Sequence, residues 1–241
     1  MPYEHRTYRD YSSSEGLASF TVAVKDTDLF ISAERKLEKE ALDAAVQARY
    51  ILETYIRARP EFQTSLVPIA EDLFAPPLVQ AMLQAASACN VGPMAAVAGA
   101  VADFVGHELL KHSREVIVEN GGDIFFKIYR PITVGIFAGP SPLSERIGIK
   151  IEAVDTPFGI CTSSGTVGPS LSFGTADAAT IRAKSAALAD AAASAVGNAV
   201  KSADDIQKAL DLGQSLDCID GIVIIKDDKL GVWGNMELAG I

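Results

Sequence analysis

The sequence predicts an α+β fold, a largely antiparallel sheet with packed helices, on three observations. Apolar runs flank short polar turns at residues 18–33 and 219–233, the pattern of hairpins. Helical periodicity is confined to residues 36–112 and 185–212. Between those blocks, β-branched and aromatic runs follow one another with only turn residues separating them, which argues against a regularly alternating βαβ chain.

Residues 1–16, MPYEHRTYRDYSSSEG, are polar and aperiodic, so they read as an N-terminal tail, and they lack the apolar core of a signal peptide. Residues 17–241 read as a single domain, since no Pro/Gly/Ser-rich linker divides them. Ala18 to Ala33 is a hairpin around Lys25-Asp26-Thr27-Asp28. Lys36 to Arg59 carries Leu37, Leu42, Val46, Tyr50, Ile51 and Ile56 near helical spacing, and Pro60 ends that amphipathic helix. Pro76-Pro77 opens a second helix with Leu78, Val79, Met82 and Leu83 as its buried stripe. A third, Pro93 to His112, is apolar on nearly every side and must be buried, with Gly99 and Gly106 permitting close approach.

Strands are then expected at Glu115–Glu119, Asp123–Tyr129, Thr133–Ala138, Ile147–Val154 and Phe158–Thr162. Helix returns at Ser185–Val200 and at Ala203–Leu212, where Gly213 is the expected stop. Ile219–Ile225 and Lys229–Trp233 form a last hairpin over Lys226-Asp227-Asp228, whose likeness in outline to the first hints at internal duplication.

A net charge of −10 removes the basic footprint that nucleic acids and anionic lipids require, so neither is an expected partner. Cys89, Cys161 and Cys218 are odd in number and far apart, which fits neither a disulfide framework nor a CxxC site and suggests a reducing compartment, the cytoplasm. The most apolar stretch, Met94 to Ala102, is far short of the roughly 20 residues a membrane span needs.

Three segments could carry chemistry. Asn120-Gly121-Gly122-Asp123 lies between strand-like runs, where paired glycines either let a nucleotide approach the backbone or simply make a two-residue turn. Thr162-Ser163-Ser164-Gly165-Thr166 offers hydroxyls and amides to a phosphate, or is an ordinary surface loop. Asp190 and Ser194, spaced i,i+4 on the alanine-rich helix, project from one face; they suit a hard cation such as Mg2+, or else are an exposed acid and a packing serine. No GxSxG, Walker A, HExxH or GxGxxG motif is present.

Together, VIVENGGDI (116–124), TSSGT (162–166) and ALADAAASAVGNAV (187–200) resemble the ApbE-like flavin transferases in order and rough spacing. VGPMAAVAGA (91–100) and SLSFGTADA (170–178) are more similar to an uncharacterised ApbE-related branch. The resemblance covers nearly the whole chain after the tail and implies an ApbE-like, T-fold-related α+β fold that binds FAD and Mg2+ and moves FMN onto a threonine of an acceptor protein. It would set Asn120, Gly121, Gly122 and Asp123 against the nucleotide, Ser163, Ser164 and Gly165 against the diphosphate, and Asp190, Ser194 and the Ala100 carbonyl on the metal.

Two departures stand out: Asp103 occupies the place of a transferase lysine, and Val167-Gly168-Pro169-Ser170 that of a His-Asp-Pro segment. The catalytic residues are therefore open, with Asp123 or Asp177 as candidate bases. Three functions compete: Mg-dependent FMN transfer or FAD diphosphate cleavage, a non-catalytic module binding flavin or another heterocycle, and a homo-oligomeric scaffold assembled through the alanine-rich helices.

Overall fold

A computed structural model describes residues 16–167 and 171–241. The expected tail therefore lies outside the described residues except for Gly16, as does most of the Val167–Ser170 segment.

In chain order the elements are β1 (Ala18–Val24), β2 (Thr27–Ala33), α1 (Glu38–Ala58), α2 (Glu61–Thr64), α3 (Pro77–Cys89) and, after a 3-10 turn at Pro93–Ala96, α4 (Val97–Leu109). Next come β3 (Val116–Asn120), β4 (Asp123–Lys127), β5 (Ile132–Gly135), β6 (Ile147–Ile151), β7 (Phe158–Ser163) and β8 (Ala178–Ala183). The chain closes with α5 (Ala186–Ala199), α6 (Ile206–Gln214), β9 (Ile219–Lys226), β10 (Lys229–Gly234) and β11 (Glu237–Gly240).

Eight strands form one sheet in the order β1-β2-β3-β4-β7-β8-β9-β10, and β11-β6-β5 form a smaller one. Every pairing is antiparallel. Hairpin, helices, hairpin occurs twice, first as β1–β2, α1–α4, β3–β4 and again as β7–β8, α5–α6, β9–β10, the halves meeting where β4 pairs with β7. By this order the equivalent of β9–β10 is β3–β4, so the two hairpins that resemble each other in sequence, β1–β2 and β9–β10, are not counterparts.

The central strands are apolar at consecutive positions because each feeds two cores. Val118, Phe125, Cys161, Ile222 and Ile224 face the helices. Their chain neighbours Ile117, Phe126, Ile160, Val223 and Ile225 face the layer of β5, β6 and β11, where Ile149 and Ile151 meet them. Strands buried on both faces lose the polar alternation of a half-exposed sheet.

Several expectations change. The buried stripe of α1 is Ala41, Ala44, Ala45, Ala48 and Leu52, while Leu42, Val46 and Tyr50 face outward. Small side chains let the helix lie close to its neighbours, and that closeness, not size, selects the buried face. Gly213 does not end α6; it sits inside the helix, where an added Cβ would fall 2.3 Å from Ile222 Cδ1. β8 and β11 were not expected from the sequence. Among the described residues no single helix is long and apolar enough to cross a membrane, and α3 with the Pro93–Leu109 run is bent by 106°.

Antiparallel order brings the β3–β4 tip, the β7–β8 connection and the β9–β10 tip to one end of the large sheet. Helix α4 begins at that end, where Ala98 meets Asn120, and α5 finishes there, where Gly197 meets Ser163.

Candidate functional site

The β3–β4 tip is a two-residue turn with φ +73° at Gly121 and +108° at Gly122. Hairpin turns of this hand need positive φ at both central residues, which glycine supplies without strain. Asn120 Nδ2 donates to the Ala98 carbonyl at 3.0 Å, tying the tip to the first turn of α4. Thr162 N–H donates to Gly122 O at 3.2 Å, so the NGG turn and the start of the TSS segment lie edge to edge. The turn is thus an ordinary hairpin and part of the site end at once.

Beyond β7 the chain folds back on itself. The Ser164 hydroxyl accepts from the N–H groups of Thr166 (3.1 Å) and Val167 (3.0 Å). Gly165 N–H donates to Ala176 O at 2.9 Å, and a Cβ on Gly165 would stand 2.3 Å from the Gly174 carbonyl oxygen. Ser163 points toward α5, since a Cβ built on Gly197 would lie 3.6 Å from its Oγ.

Helices α4 and α5 cap each other. Asp190, on α5, accepts the Gly99 N–H through Oδ2 at 2.9 Å and also meets the Ala98 N–H, two first-turn donors that α4 cannot satisfy internally. Asp103, on α4, accepts the N–H groups of Ala186 and Ala187 at 2.9 Å each, at the start of α5. Gly99 makes the exchange possible, because a Cβ there would sit 2.2 Å from Ala186 O. Asp103 is therefore a structural carboxylate.

These acids share one electrostatic environment. Desolvation pushes the half-buried Asp190 well above the usual carboxylate range, and the charge of Asp123 pushes it further against the pull of the Gly99 and Ala98 amides. Asp103 is pushed up to about 6 by burial, opposed by its two backbone donors. The Cys161 thiol, opposite Asp123 in the β4–β7 register, is raised by burial and then by the charges of Asp123, Asp190 and Asp103. Ser194 stands one turn beyond Asp190 on the same helix face, and Ala100 is buried in the first turn of α4.

Among the described residues no three His, Cys, Asp or Glu side chains are grouped to hold a metal. An ion at Asp190 would accordingly draw on hydroxyl, carbonyl, ligand and water oxygens, a donor set that suits magnesium.

Thr166, one residue past Gly165, lines an open cavity of about 350 Å³ together with Pro140–Pro142, Asp177 and Lys226–Asp228. Asp177 is 1% exposed. It accepts from Asp227 N–H at 2.7 Å and from the Thr166 hydroxyl at 3.2 Å, with Lys226 Nζ 3.7 Å away. Sequence reasoning named Asp177 but not Ser141, Lys226 or Asp227, which reach the cavity from a loop and a hairpin tip distant in the chain.

The family model described as AbpE bacteria matches residues 9–230. The UPF0280 protein of Methanocaldococcus jannaschii is 38% identical over 221 residues, covering 89% of this chain and 90% of that protein. Its counterpart in Methanococcus vannielii is 41% identical over 226 residues, covering 91% and 92%. Among solved structures, the apo form of Pseudomonas stutzeri flavinyl transferase ApbE superposes with a TM-score of 0.57 at 14% identity, covering 90% of this chain and 94% of that one. The ApbE protein of Thermotoga maritima gives 0.54 at 13%, covering 90% and 96%. At such identities the structural likeness speaks for the fold, and the fold is ApbE-like. With that match and those relatives, the chain belongs to the AbpE bacteria family.

Proposed function

We propose that the sheet end carrying Asn120–Asp123, Ser163 and Asp190 binds FAD as substrate together with a magnesium ion. The observation that carries the reading is Asp190 itself: a desolvated carboxylate, destabilised further by Asp123, with the Ser194 hydroxyl one turn away. A cation relieves such a pair of acids. Asp190 and Ser194 would hold it, and the Ala100 carbonyl, which has a lone pair beyond its helical bond, would be a third oxygen donor. The bound ion would neutralise charge on the diphosphate oxygens.

The remaining roles fall to the chain's own groups. The NGG backbone would lie against the nucleotide, while Ser163, Ser164 and Gly165 would flank the diphosphate. Attack on the FMN phosphorus by an acceptor protein's hydroxyl, with AMP leaving, transfers FMN; attack by water gives FMN and AMP. Asp123, whose charge bears on Asp190, would receive the proton of the attacking hydroxyl. That the Pseudomonas stutzeri neighbour is a flavinyl transferase supports flavin over other heterocycles.

A second reading, binding without turnover, is favoured by Asp103, whose carboxylate is spent on the α5 amides at the transferase lysine's place. Calorimetric titration with FAD, with and without magnesium, combined with chromatography for FMN and AMP, separates the two. Magnesium-dependent binding that weakens at least about tenfold in Asp190→Asn is expected. FMN and AMP in the mixture establish cleavage, and FAD that stays intact even with a threonine-containing acceptor protein added establishes the carrier. No FAD binding under either condition overturns both readings.

A further inference from the structure

Cys89 and Cys218, which sequence separation gave no reason to pair, place their sulfurs 3.8 Å apart. Cys89 is the last residue of α3 and is 3% exposed; Cys218 lies in the turn before β9 and keeps partial access to solvent. Both belong to the margin of the helix-side core, where the end of α3 meets the α6–β9 turn. The contact is at van der Waals range, and a disulfide would require it to shorten by about 1.8 Å.

We propose that Cys89 and Cys218 form a thiol–disulfide exchange site that takes low-molecular-weight disulfides as its oxidant. The inference is independent of the flavin reading. Cys218 is the attacking thiol: it is the accessible member, and the hydrogen bond from Cys89 draws it down to about 7. The Cys89 thiol is pushed up by the same bond and by burial, as befits a resolving group held protonated until needed.

In the first step the Cys218 thiolate attacks one sulfur of R–S–S–R, forming a mixed disulfide and releasing one thiolate, which takes up a proton. Cys89 then gives up its proton and attacks the Cys218 sulfur, releasing the second R–S group as a thiol. In sum, two protein thiols are oxidised to one disulfide while R–S–S–R is reduced to two thiols, and the two hydrogens pass to the departing groups. Cys161 is a built-in control, because it is fully buried and its thiol is engaged with the Ala186 carbonyl at 3.2 Å.

The test equilibrates the full chain with excess oxidised glutathione, alkylates the remaining thiols under denaturing conditions, and maps peptides by mass spectrometry. The expected wild-type product has lost two hydrogens, contains a Cys89–Cys218 crosslink and keeps Cys161 alkylated. Cys89→Ser should stop at a glutathione adduct on Cys218, and in the reduced protein alkylation at Cys218 should run at least about tenfold faster than at Cys161. A wild type in which all three cysteines stay alkylatable, or in which the glutathione adduct on Cys218 persists, overturns the proposal.

Discussion

Replacing Gly99 by alanine should destabilise the fold through the α4–α5 contact. The new Cβ would lie 2.2 Å from Ala186 O, 2.5 Å from Ala186 C and 2.9 Å from Asp190 Cβ. Carbon contacts settle near 3.5–4.0 Å, so the helices would have to part by roughly 1 Å. Overpacking of this kind costs about 1–3 kcal/mol, and backbone obstacles, which cannot swing aside, put this case at the upper end. Alanine's better helix propensity returns about 1 kcal/mol. The net loss is about 1–2 kcal/mol, a fall in Tm of about 2–8 °C for a chain of this size. Scanning calorimetry against Gly240→Ala provides the comparison, since nothing lies within 4 Å of a Cβ at Gly240. A Gly99→Ala protein as stable as the wild type would refute the close-approach argument.

Asp103→Asn tests the pH dependence of the same junction. Because the folded value, about 6, lies above that of the unfolded chain, Asp103 favours the fold fully below about pH 4, and that contribution fades as pH rises to about 6. It amounts to at most about 3 kcal/mol, so urea midpoints of the variant should fall less steeply over that window; an unchanged slope would remove Asp103 as the cause. Asp177→Ala leaves the Asp227 N–H without its acceptor and takes from the mostly buried Lys226 one of its two carboxylates, Asp227 remaining at 3.1 Å, at an expected cost of about 1–3 kcal/mol in chemical unfolding. A loss below about 1 kcal/mol would mean that solvent satisfies both groups. Lys150→Gln removes exposed ion pairs to Glu237 and Glu152 and should shift stability by no more than about 0.5 kcal/mol in the same assay; a larger loss would show an unrecognised network.

Local signals made much of the fold legible. Apolar runs around polar turns located β1–β2 and β9–β10, and prolines marked the end of α1 and the start of α3. β8 was missed because AATIRA is alanine-rich and has little strand propensity of its own; pairing between β7 and β9 decides its conformation. In the candidate site, i,i+4 spacing set Asp190 and Ser194 on one face, but the partner of Asp190, the Gly99 amide, lies on another helix, and no local pattern connects them. The role of Asp103 was hidden for the same reason. Cys89 and Cys218, 129 positions apart, were brought together by helix packing alone.

The twofold occurrence of hairpin, helices, hairpin also bears on how the chain reaches its native state. β1–β2, β3–β4 and β9–β10 close over turns of two residues, and β7–β8 over a single loop, so four of the seven ladders in the large sheet cost little loop entropy. The two long closures, β2 with β3 and β8 with β9, each bracket the helices of their own half. Each half therefore carries its slow step within itself, and joining them at β4–β7 asks only that the 128–157 excursion fold back.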